Sequence, residues 1–360
     1  MRRIFLWMLF CGWLAAPPNR AQQPQQPEEP TTRIGVTVEN VVAPVLVFDK
    51  DGSYVSNIRP DQFHLYDNNK EQNISVDVVY QPISLVIAIQ ANSHVEQLLP
   101  HVQKIGNLIK PLLIGDQGEA AIIAYDARIR VLQDFTSDAD KITAQIKKIY
   151  PGSSSNRLVD AVVEGTRMLS TRPKNRRRIL ITVGETRDLG SEGRSREALL
   201  GLQFANVLFY GVDMSRIMNV LTAPAPVPRP DNLPPAMHPL PSGVPATPTT
   251  VAQTYGLNGG TAEFIPLMVE VFKDVKAIFK QNPVEVFTKG TGGSIFGFHS
   301  LHSLEEAMQK VGEELHSEYT VSYNPNNKEE GGWHQIIVQV GGHPEVKRVQ
   351  TRPGYWLAPK

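Results

Sequence analysis

The feature that most constrains the fold is an alternation of apolar runs and helix-patterned segments between Ile83 and Val212. Residues 85–89 and 179–183 are almost continuously apolar, as expected of strands buried on both faces. Between them, residues 95–112 and 158–169 place apolar side chains at helical spacing. Strands that alternate with helices form a mostly parallel sheet with crossover helices on its faces. The sequence therefore predicts an α/β, Rossmann-like fold.

The segments on either side of this core have a β pattern. Apolar and polar residues alternate within residues 34–80 and again within residues 319–357. We expect these N- and C-terminal β segments to pack together as a small accessory β unit beside the α/β domain, which spans residues 81–318. A proline-rich insertion over residues 215–260 interrupts that domain, and we expect it to be an exposed loop because residues 223–250 hold 10 of the 28 prolines.

Residues 1–21 have the pattern of a signal peptide. Arg2 and Arg3 precede an apolar stretch of 13 residues, which is too short to span a bilayer as a stable helix. We therefore expect export to the periplasm or the extracellular space, with no transmembrane segment in the mature chain. The Pro- and Gln-rich residues 22–33 are expected to form a disordered linker.

Composition excludes several function classes. The 36 basic residues are balanced by 36 acidic ones, which argues against a nucleic-acid partner. The single cysteine, Cys11, lies inside the predicted signal peptide. The mature chain is therefore expected to have no disulfide, no cysteine metal site and no cysteine nucleophile.

Short motifs recur in a fixed order along the chain. They are FDKDG at 48–52, DQFHLY at 61–66, TGG at 291–293, EYTVSY at 318–323 and RPGY at 352–355. In this order and spacing they resemble the von Willebrand factor A-related proteins known from acidobacterial genomes. The resemblance covers about residues 34–357 apart from the insertion. It implies an exported, Rossmann-like sheet flanked by helices, and it implies no activity.

The same resemblance locates a degenerate metal-ion-dependent adhesion site. A domains of this family bind a divalent cation through three loops, the first of which reads Asp-x-Ser-x-Ser. Here that loop reads QANSH at 90–94, Asn156 replaces the threonine of the second loop, and Val183 replaces the aspartate of the third. Because Mg²⁺ depends on carboxylate oxygens, the sequence predicts no bound metal and no other cofactor. Glu185 or Asp188 reaching inward would be the exception.

What remains in these loops is a neutral polar cluster. Its members, the candidate ligand-binding residues, are Gln90, Asn92, Ser93, His94 and Asn156. One interpretation is a site that hydrogen-bonds a peptide, a sugar or a protein loop without metal. The other is an inactive, filled pocket in which Asn92 or Ser93 caps the following helix. The sequence leaves both open.

Other patterns are weaker. Ser303 with Glu306 predicts a capping box at the start of a helix. The glycine run at 290–293 lacks the lysine of a phosphate-binding loop and is interpreted as a helix stop. The basic residues within 172–178 are interpreted as a solvated loop, although contact with an anion stays open.

A hydrolase would require a serine, His94 and Asp160 in one place, but no Gly-x-Ser-x-Gly nucleophile elbow occurs at a strand end. The sequence therefore predicts that the protein is not an enzyme. It predicts a binding, adhesion-like or scaffold module whose partner is an unknown protein or an envelope polymer. A metal-dependent adhesion domain with displaced ligands and, further off, a hydrolase are the alternatives.

Overall fold

The computed structural model of this chain describes residues 40–77, 81–215, 282–298 and 300–357. The predicted signal peptide and linker lie outside the described residues, as does nearly all of the proline-rich insertion.

The strands are numbered in chain order. They are β1 (Val41–Phe48), β2 (Phe63–Asp67), β3 (Lys70–Glu71), β4 (Ile74–Asp77), β5 (Ile83–Gln90), β6 (Glu119–Tyr125), β7 (Ile129–Thr136), β8 (Arg177–Gly184), β9 (Val207–Asp213), β10 (Ile295–Gly297), β11 (Tyr319–Tyr323), β12 (Gly332–Val340), β13 (Arg348–Thr351) and β14 (Gly354–Leu357).

The helices follow the same convention. They are α1 (Leu99–Val102), α2 (Gly106–Ile109), α3 (Ala139–Ile146), α4 (Leu158–Ser170), α5 (Ser195–Phe204), α6 (Pro283–Thr291) and α7 (Leu301–Ser317).

A six-stranded sheet in the order β10-β9-β8-β5-β6-β7 forms the centre of the fold. All neighbouring strands are parallel except β6 and β7, which are antiparallel. Every residue of β5 is buried, which explains its nearly unbroken apolar sequence. The predicted α/β class is confirmed. The strand order reverses direction between β5 and β8, the place where open α/β sheets bind ligands.

Two apolar cores cover the two faces of this sheet. Leu85 and Ile87 point to one face, where they share a core with Ile142 of α3 and Val311 of α7. The intervening residue Val86 points to the other face, which is covered by α4, α5 and α6. This alternation follows from the two-residue period of a strand.

The helical spacing predicted over residues 95–112 does not give one continuous α-helix. The chain there forms 3₁₀ turns at Ser93–Leu98 and Gln103–Ile105, two short α-helices and a π turn at Lys110–Ile114. Pro100 and Pro111 explain the interruption, because proline has no backbone N–H to donate within a helix. The apolar face predicted from the spacing is nevertheless buried against the sheet.

The N- and C-terminal segments pair with each other in two four-stranded sheets. Their strand orders are β13-β1-β11-β4 and β14-β12-β2-β3. Val45 and Val321 of the first sheet share one buried core with Leu65 and Val338 of the second. The expected accessory β unit is therefore a pair of sheets with a common apolar interior.

The capping box predicted at Ser303 and Glu306 is wrong by one turn. Ser300 is the N-cap of α7, and its Oγ accepts from the backbone N of Ser303 at 3.2 Å. The Oγ of Ser303 in turn accepts from the backbone N of Ser300 at 2.8 Å, so a short serine takes the role expected of a glutamate.

The glycine run is a helix stop, as predicted. Helix α6 ends at Thr291, and Gly292 follows with a left-handed φ of 95°. A Cβ at this position would lie 2.8 Å from Cγ of Pro44, so the close approach also requires glycine.

Candidate functional site

The candidate site lies at the carboxyl edge of the six-stranded sheet. Gln90 ends β5, and Gly184 ends β8 beside it. Tyr125 ends β6 on the other side and is in register with Gln90. The loops that leave these strands therefore meet where the strand order reverses, as a ligand crevice requires.

The carboxamide of Gln90 connects two of these loops. Its Nε2 donates to Oδ1 of Asn92 at 3.0 Å and to Oε2 of Glu185 at 2.8 Å. Its Oε1 accepts from the backbone N of Glu185 at 2.6 Å. Gln90 is fully buried, so these bonds satisfy a polar group that would otherwise be costly to bury.

Asn92 connects the first loop to the second. It is fully buried, and its Nδ2 donates to the carbonyl oxygen of Ser154 at 3.3 Å. Asn92 occupies the N-cap position of the turn Ser93–Leu98, but its side chain makes no capping bond. The expectation that this side chain caps the following helix is therefore wrong, because the carboxamide bonds across the edge instead.

Asn156 connects the second loop to the third. This buried residue donates from Nδ2 to the carbonyl oxygen of Arg187 at 2.8 Å, and its own carbonyl oxygen accepts from the backbone N of Leu189 at 3.0 Å. The five candidate residues predicted from the sequence thus fall into two groups. Gln90, Asn92 and Asn156 form the buried floor of the edge, whereas Ser93 and His94 are exposed beside it.

The carboxylates near the edge are already engaged. Glu185 contacts Gln90, and Asp188 lies against the start of α4, where its Oδ1 accepts from the backbone N of Val159 at 3.1 Å and from Oγ of Ser191 at 2.6 Å. Of Glu185 and Asp188, only Glu185 thus bonds to the floor. Within the described parts of the chain, no group of three His, Cys, Asp or Glu residues could hold a metal ion.

Asp160 does not pair with a histidine. It accepts from Nε of Arg157 at 2.6 Å and from the backbone N of Gly193 at 2.8 Å. Burial alone would raise the pKa of Asp160, but these hydrogen bonds outweigh it and lower the pKa below the ordinary range. Asp160 therefore holds the loop after β8 against the start of α4.

Two residues at this edge were missed by the sequence analysis. Asp126 follows β6 directly, is 1% exposed, and accepts from the backbone N of Arg128 at 2.7 Å. Glycine at position 152 leaves room for it, since a Cβ there would lie 1.5 Å from Oδ2 of Asp126. The sequence feature that could have indicated Asp126 is an aspartate placed immediately after a continuously apolar strand.

Tyr125 is the second missed residue. Its hydroxyl is buried and has no hydrogen-bond partner in the described structure, and the same is true of Oδ1 of Asn156. Burial, with smaller effects from Glu185 and Asp188, raises the pKa of Tyr125 far above its ordinary value, so the hydroxyl stays a neutral donor. Among the buried atoms of the described edge, these two are a donor and an acceptor without partners.

Two apolar side chains are exposed around this floor. Tyr150 precedes the second loop and is 58% exposed, and Leu189 in the third loop is 59% exposed. The guanidinium carbon of Arg130 lies 4.6 Å from the centre of the Tyr150 ring and helps to hold it. We call Tyr150, Leu189 and the exposed His94 the rim.

No protein-family model matches this sequence, and no curated protein matches it either. Solved structures do match parts of the chain. BatB from Bacteroides thetaiotaomicron is 20% identical over 37% of this chain and 67% of its own, with a TM-score of 0.31. The von Willebrand factor domain of the pilus tip protein Mfa5 from Porphyromonas gingivalis is 16% identical over 31% of this chain, with a TM-score of 0.26.

The chain spans 40% of that Mfa5 domain, less than half its length. An aerotolerance-related membrane protein from Bacteroides fragilis is 11% identical over 64% of this chain and 98% of its own, with a TM-score of 0.38. In the part of this chain that the structure describes, no helix is both long enough and apolar enough to cross a membrane. The architecture itself, a mostly parallel six-stranded sheet with helices on both faces, is established by the strand order and pairing described above.

Proposed function

We propose that this protein is an exported, non-catalytic binding module that recognises a protein partner at the carboxyl edge of its sheet without a metal ion. The observation that carries the proposal is the carboxamide of Gln90, which bonds to Glu185 at the position where a cation-binding loop would present a carboxylate.

Charge supports the metal-free mode. Glu185 is the carboxylate that bonds to the floor, and Gln90, Asn92 and Asn156 are neutral amides. A divalent cation that loses its water needs several anionic oxygens to offset the cost. The amide N–H groups of Gln90 point at Glu185 and Asn92, so hydrogen-bond donors occupy space that metal ligands would need.

The rim supports a protein partner. Protein interfaces are enriched in tyrosine and in exposed apolar side chains surrounded by polar groups. Tyr150 and Leu189 supply these, each with more than half of its surface exposed. The floor beneath them joins three loops by hydrogen bonds, and a surface that is already ordered loses less entropy on binding.

The remaining support comes from the sequence. The signal-peptide pattern of residues 1–21 supports export, and the resemblance to von Willebrand factor A-related proteins supports an interaction role. The pairing of Asp160 with Arg157 supports the absence of a Ser-His-Asp arrangement at His94.

A capture experiment from envelope extracts tests the proposal. The full-length chain is compared with the double variant Tyr150→Ala/Leu189→Ala and with Val163→Ala, which removes another exposed apolar side chain, on α4. Each is incubated with EDTA and, separately, with Mg²⁺, and captured proteins are identified by mass spectrometry.

We expect the wild type and Val163→Ala to capture the same partner in EDTA, and the double variant to lose it. Affinity for the purified partner should then fall by about tenfold or more. Capture that requires Mg²⁺ would favour the metal-dependent adhesion domain. Capture that the double variant retains would place the contact elsewhere, for example on the accessory β unit of a scaffold protein.

A further inference from the structure

A cavity of about 340 Å³ lies at the opposite, amino end of the same sheet. Its wall includes the starts of β8 and β9, the end of α5 and parts of β1 and β11 from the accessory β unit. The volume is at the lower end of the range of about 300–1,000 Å³ for ligand pockets. It therefore suits a small molecule.

Five basic residues line the cavity, against the two acidic residues Asp77 and Glu318. Of the cations that line it, Arg177 pairs with Glu318 at 2.8 Å, and Arg176 lies 3.3 Å from Glu119. Lys174, Arg178 and Arg352 also line the cavity. Among the described residues, these three have no carboxylate within ion-pair distance. An anion would find three cations here that form no ion pair with another described residue.

The guanidinium of Arg178 is partly satisfied by backbone. Its Nη1 donates to the carbonyl oxygen of Ala205 at 2.8 Å and its Nη2 to that of Arg172 at 2.6 Å. Its Nε is buried without a partner in the described structure. Burial lowers the pKa of Arg178, with no acidic group to oppose the effect.

The guanidinium of Arg352 is also bonded to backbone carbonyl oxygens. Arg352 is 4% exposed, and its guanidinium donates to the carbonyl oxygens of Gly354 at 3.3 Å and Val42 at 3.1 Å. Burial lowers the pKa of Arg352 to about 10. Asp67 and the two tyrosines Tyr323 and Tyr355 oppose this lowering without an ion pair, and a neighbouring anion would further offset the cost of burying the cation.

Gln203 adds a free acceptor to the same wall. Its Nε2 donates to the carbonyl oxygens of Gly290 at 2.9 Å and Gly354 at 3.4 Å, which fixes the orientation of the carboxamide. Its Oε1 is buried and has no partner in the described structure, and Gln203 is 4% exposed. A ligand that donates a hydrogen bond would satisfy this oxygen.

We propose that this cavity is a second binding site, which takes a small oxyanion that also carries a hydroxyl donor. The anionic oxygens bind Arg178, Arg352 and Lys174, and the hydroxyl donates to Oε1 of Gln203. A hydroxycarboxylate and a monohydrogen phosphate share this chemistry. The site is separate from the carboxyl edge and does not depend on the function proposed for it.

Calorimetric titration of the full-length chain tests the proposal, with lactate, propionate and inorganic phosphate as probes and sodium chloride at matched ionic strength as the blank. Lactate and propionate differ in the hydroxyl that would donate to Gln203. Phosphate and lactate distinguish a phosphate group from a carboxylate as the source of the anion. We expect saturable binding of lactate or phosphate, with lactate bound more tightly than propionate.

Variants locate the site. Arg178→Gln and the surface substitution Lys174→Gln should each weaken anion binding, the former by about tenfold or more, because a charged hydrogen bond is lost. Arg172→Gln is the matched control, since Arg172 lies in the same loop but bonds to Glu119 at 2.7 Å and does not line the cavity. Lys174→Gln also guards against misfolding, because Lys174 is exposed.

Three results would overturn the proposal. The first is the absence of saturable heat with lactate and with phosphate at millimolar concentration. The second is that Lys174→Gln and Arg178→Gln, both folded, bind the anion as tightly as Arg172→Gln does. The third is equal affinity for lactate and propionate together with no binding of phosphate. That result would mean that a hydroxyl on the ligand does not donate to Oε1 of Gln203.

Discussion

Nδ1 of His334 lies 2.7 Å from Oδ1 of Asp67, and both side chains are completely buried between the two sheets of the accessory β unit. The hydroxyls of Tyr355 and Tyr323 donate to Oδ2 of the same carboxylate at 2.7 and 2.9 Å. Nδ2 of Asn327 donates to Oδ1 at 3.0 Å. One carboxylate in the N-terminal segment therefore receives hydrogen bonds from four residues of the C-terminal segment.

Replacing Asp67 with asparagine should destabilise the protein strongly. The amide would present N–H groups to donors, leaving buried partners unsatisfied at a cost of about 2–4 kcal/mol. Chemical denaturation at pH 7 measures the change in the free energy of unfolding. Asp61→Asn is the matched control, because the side chain of Asp61 is 67% exposed and pairs only with exposed Arg59. We expect its effect to stay within about 0.5 kcal/mol. Equal effects of the two substitutions would contradict the role assigned to Asp67.

The same network should make the protein sensitive to acid. Burial alone would raise the pKa of Asp67, but hydrogen bonds from His334, Asn327 and the two tyrosines outweigh it and lower the pKa below 3.8. The stabilisation is therefore complete above pH 3.8 and is lost as the pH falls through the lowered pKa. The difference in unfolding free energy between wild type and Asp67→Asn should shrink below that pH. A constant difference down to pH 2 would argue against this assignment.

Glu314 should have the opposite pH dependence. This residue of α7 is 5% exposed, and burial raises its pKa to about 7, although a hydrogen bond from Ser294 opposes the rise. The folded state then prefers the protonated acid, so stability is present below pH 4.5 and falls as the pH rises towards 7.

We expect Glu314→Gln to remove this loss. The variant should be more stable than wild type at pH 8 by up to about 3 kcal/mol, since each unit of pKa corresponds to about 1.4 kcal/mol. Thermal unfolding from pH 4 to pH 8 measures it. Glu313→Gln is the control, because Glu313 is its exposed neighbour. If Glu314→Gln loses stability with rising pH as much as the wild type does, Glu314 is not the group responsible.

Glycine at position 184 should be required by the carboxyl edge. A Cβ there would lie 2.5 Å from the hydroxyl of Tyr125 and 2.7 Å from Oε1 of Gln90. We expect Gly184→Ala to displace Gln90 and to cost about 1–3 kcal/mol of stability. Gly201→Ala is the matched control in α5, where the new methyl would meet only Cγ2 of Thr166 at 3.8 Å. It should stabilise the protein by about 0.5–1 kcal/mol. If chemical denaturation shows that Gly184→Ala and Gly201→Ala change the free energy of unfolding in the same direction, this packing argument is refuted.

The bonds of Gln90 should stabilise the edge. Gln90→Leu leaves the backbone N of Glu185 and Oδ1 of Asn92 without their partner and should cost about 2–4 kcal/mol. Gln309→Leu removes an exposed carboxamide from α7 and should change stability by less than about 0.5 kcal/mol. Hydrogen exchange of the Glu185 amide gives a local measurement, and it should accelerate only in Gln90→Leu. Unchanged exchange there would mean that the bond to Oε1 contributes little.

Much of the fold could be predicted from the sequence because local patterns determine it. The unbroken apolar run of β5 is buried on both faces, and Asp138 caps α3 by accepting from the backbone N of Asp140 at 3.0 Å. The Asp67 network could not be predicted in this way. Its partners Tyr323 and Tyr355 lie 256 and 288 positions away, and only the pairing of the terminal segments brings them together.

The candidate site was predictable in part for a related reason. Gln90 ends the parallel strand β5, and the ends of parallel strands converge at one edge, whereas Asn156 lies just before α4. The direction of each side chain was not predictable, so the capping role expected of Asn92 was wrong. Tyr150 and Leu189 gave no periodic signal, because both lie in loops whose exposure depends on the packing of neighbouring segments.

The most direct test of a metal-free edge is calorimetric titration of the full-length chain, stripped of metal with EDTA and dialysed, with Mg²⁺, Mn²⁺ and Ca²⁺. Glu185→Gln serves as the matched variant, because it removes the carboxylate that bonds to Gln90. We expect no saturable binding of any of the three cations to the wild type at millimolar concentration, and no difference in the variant. Micromolar binding to the wild type that Glu185→Gln abolishes would contradict the proposal and establish a cation site at this edge.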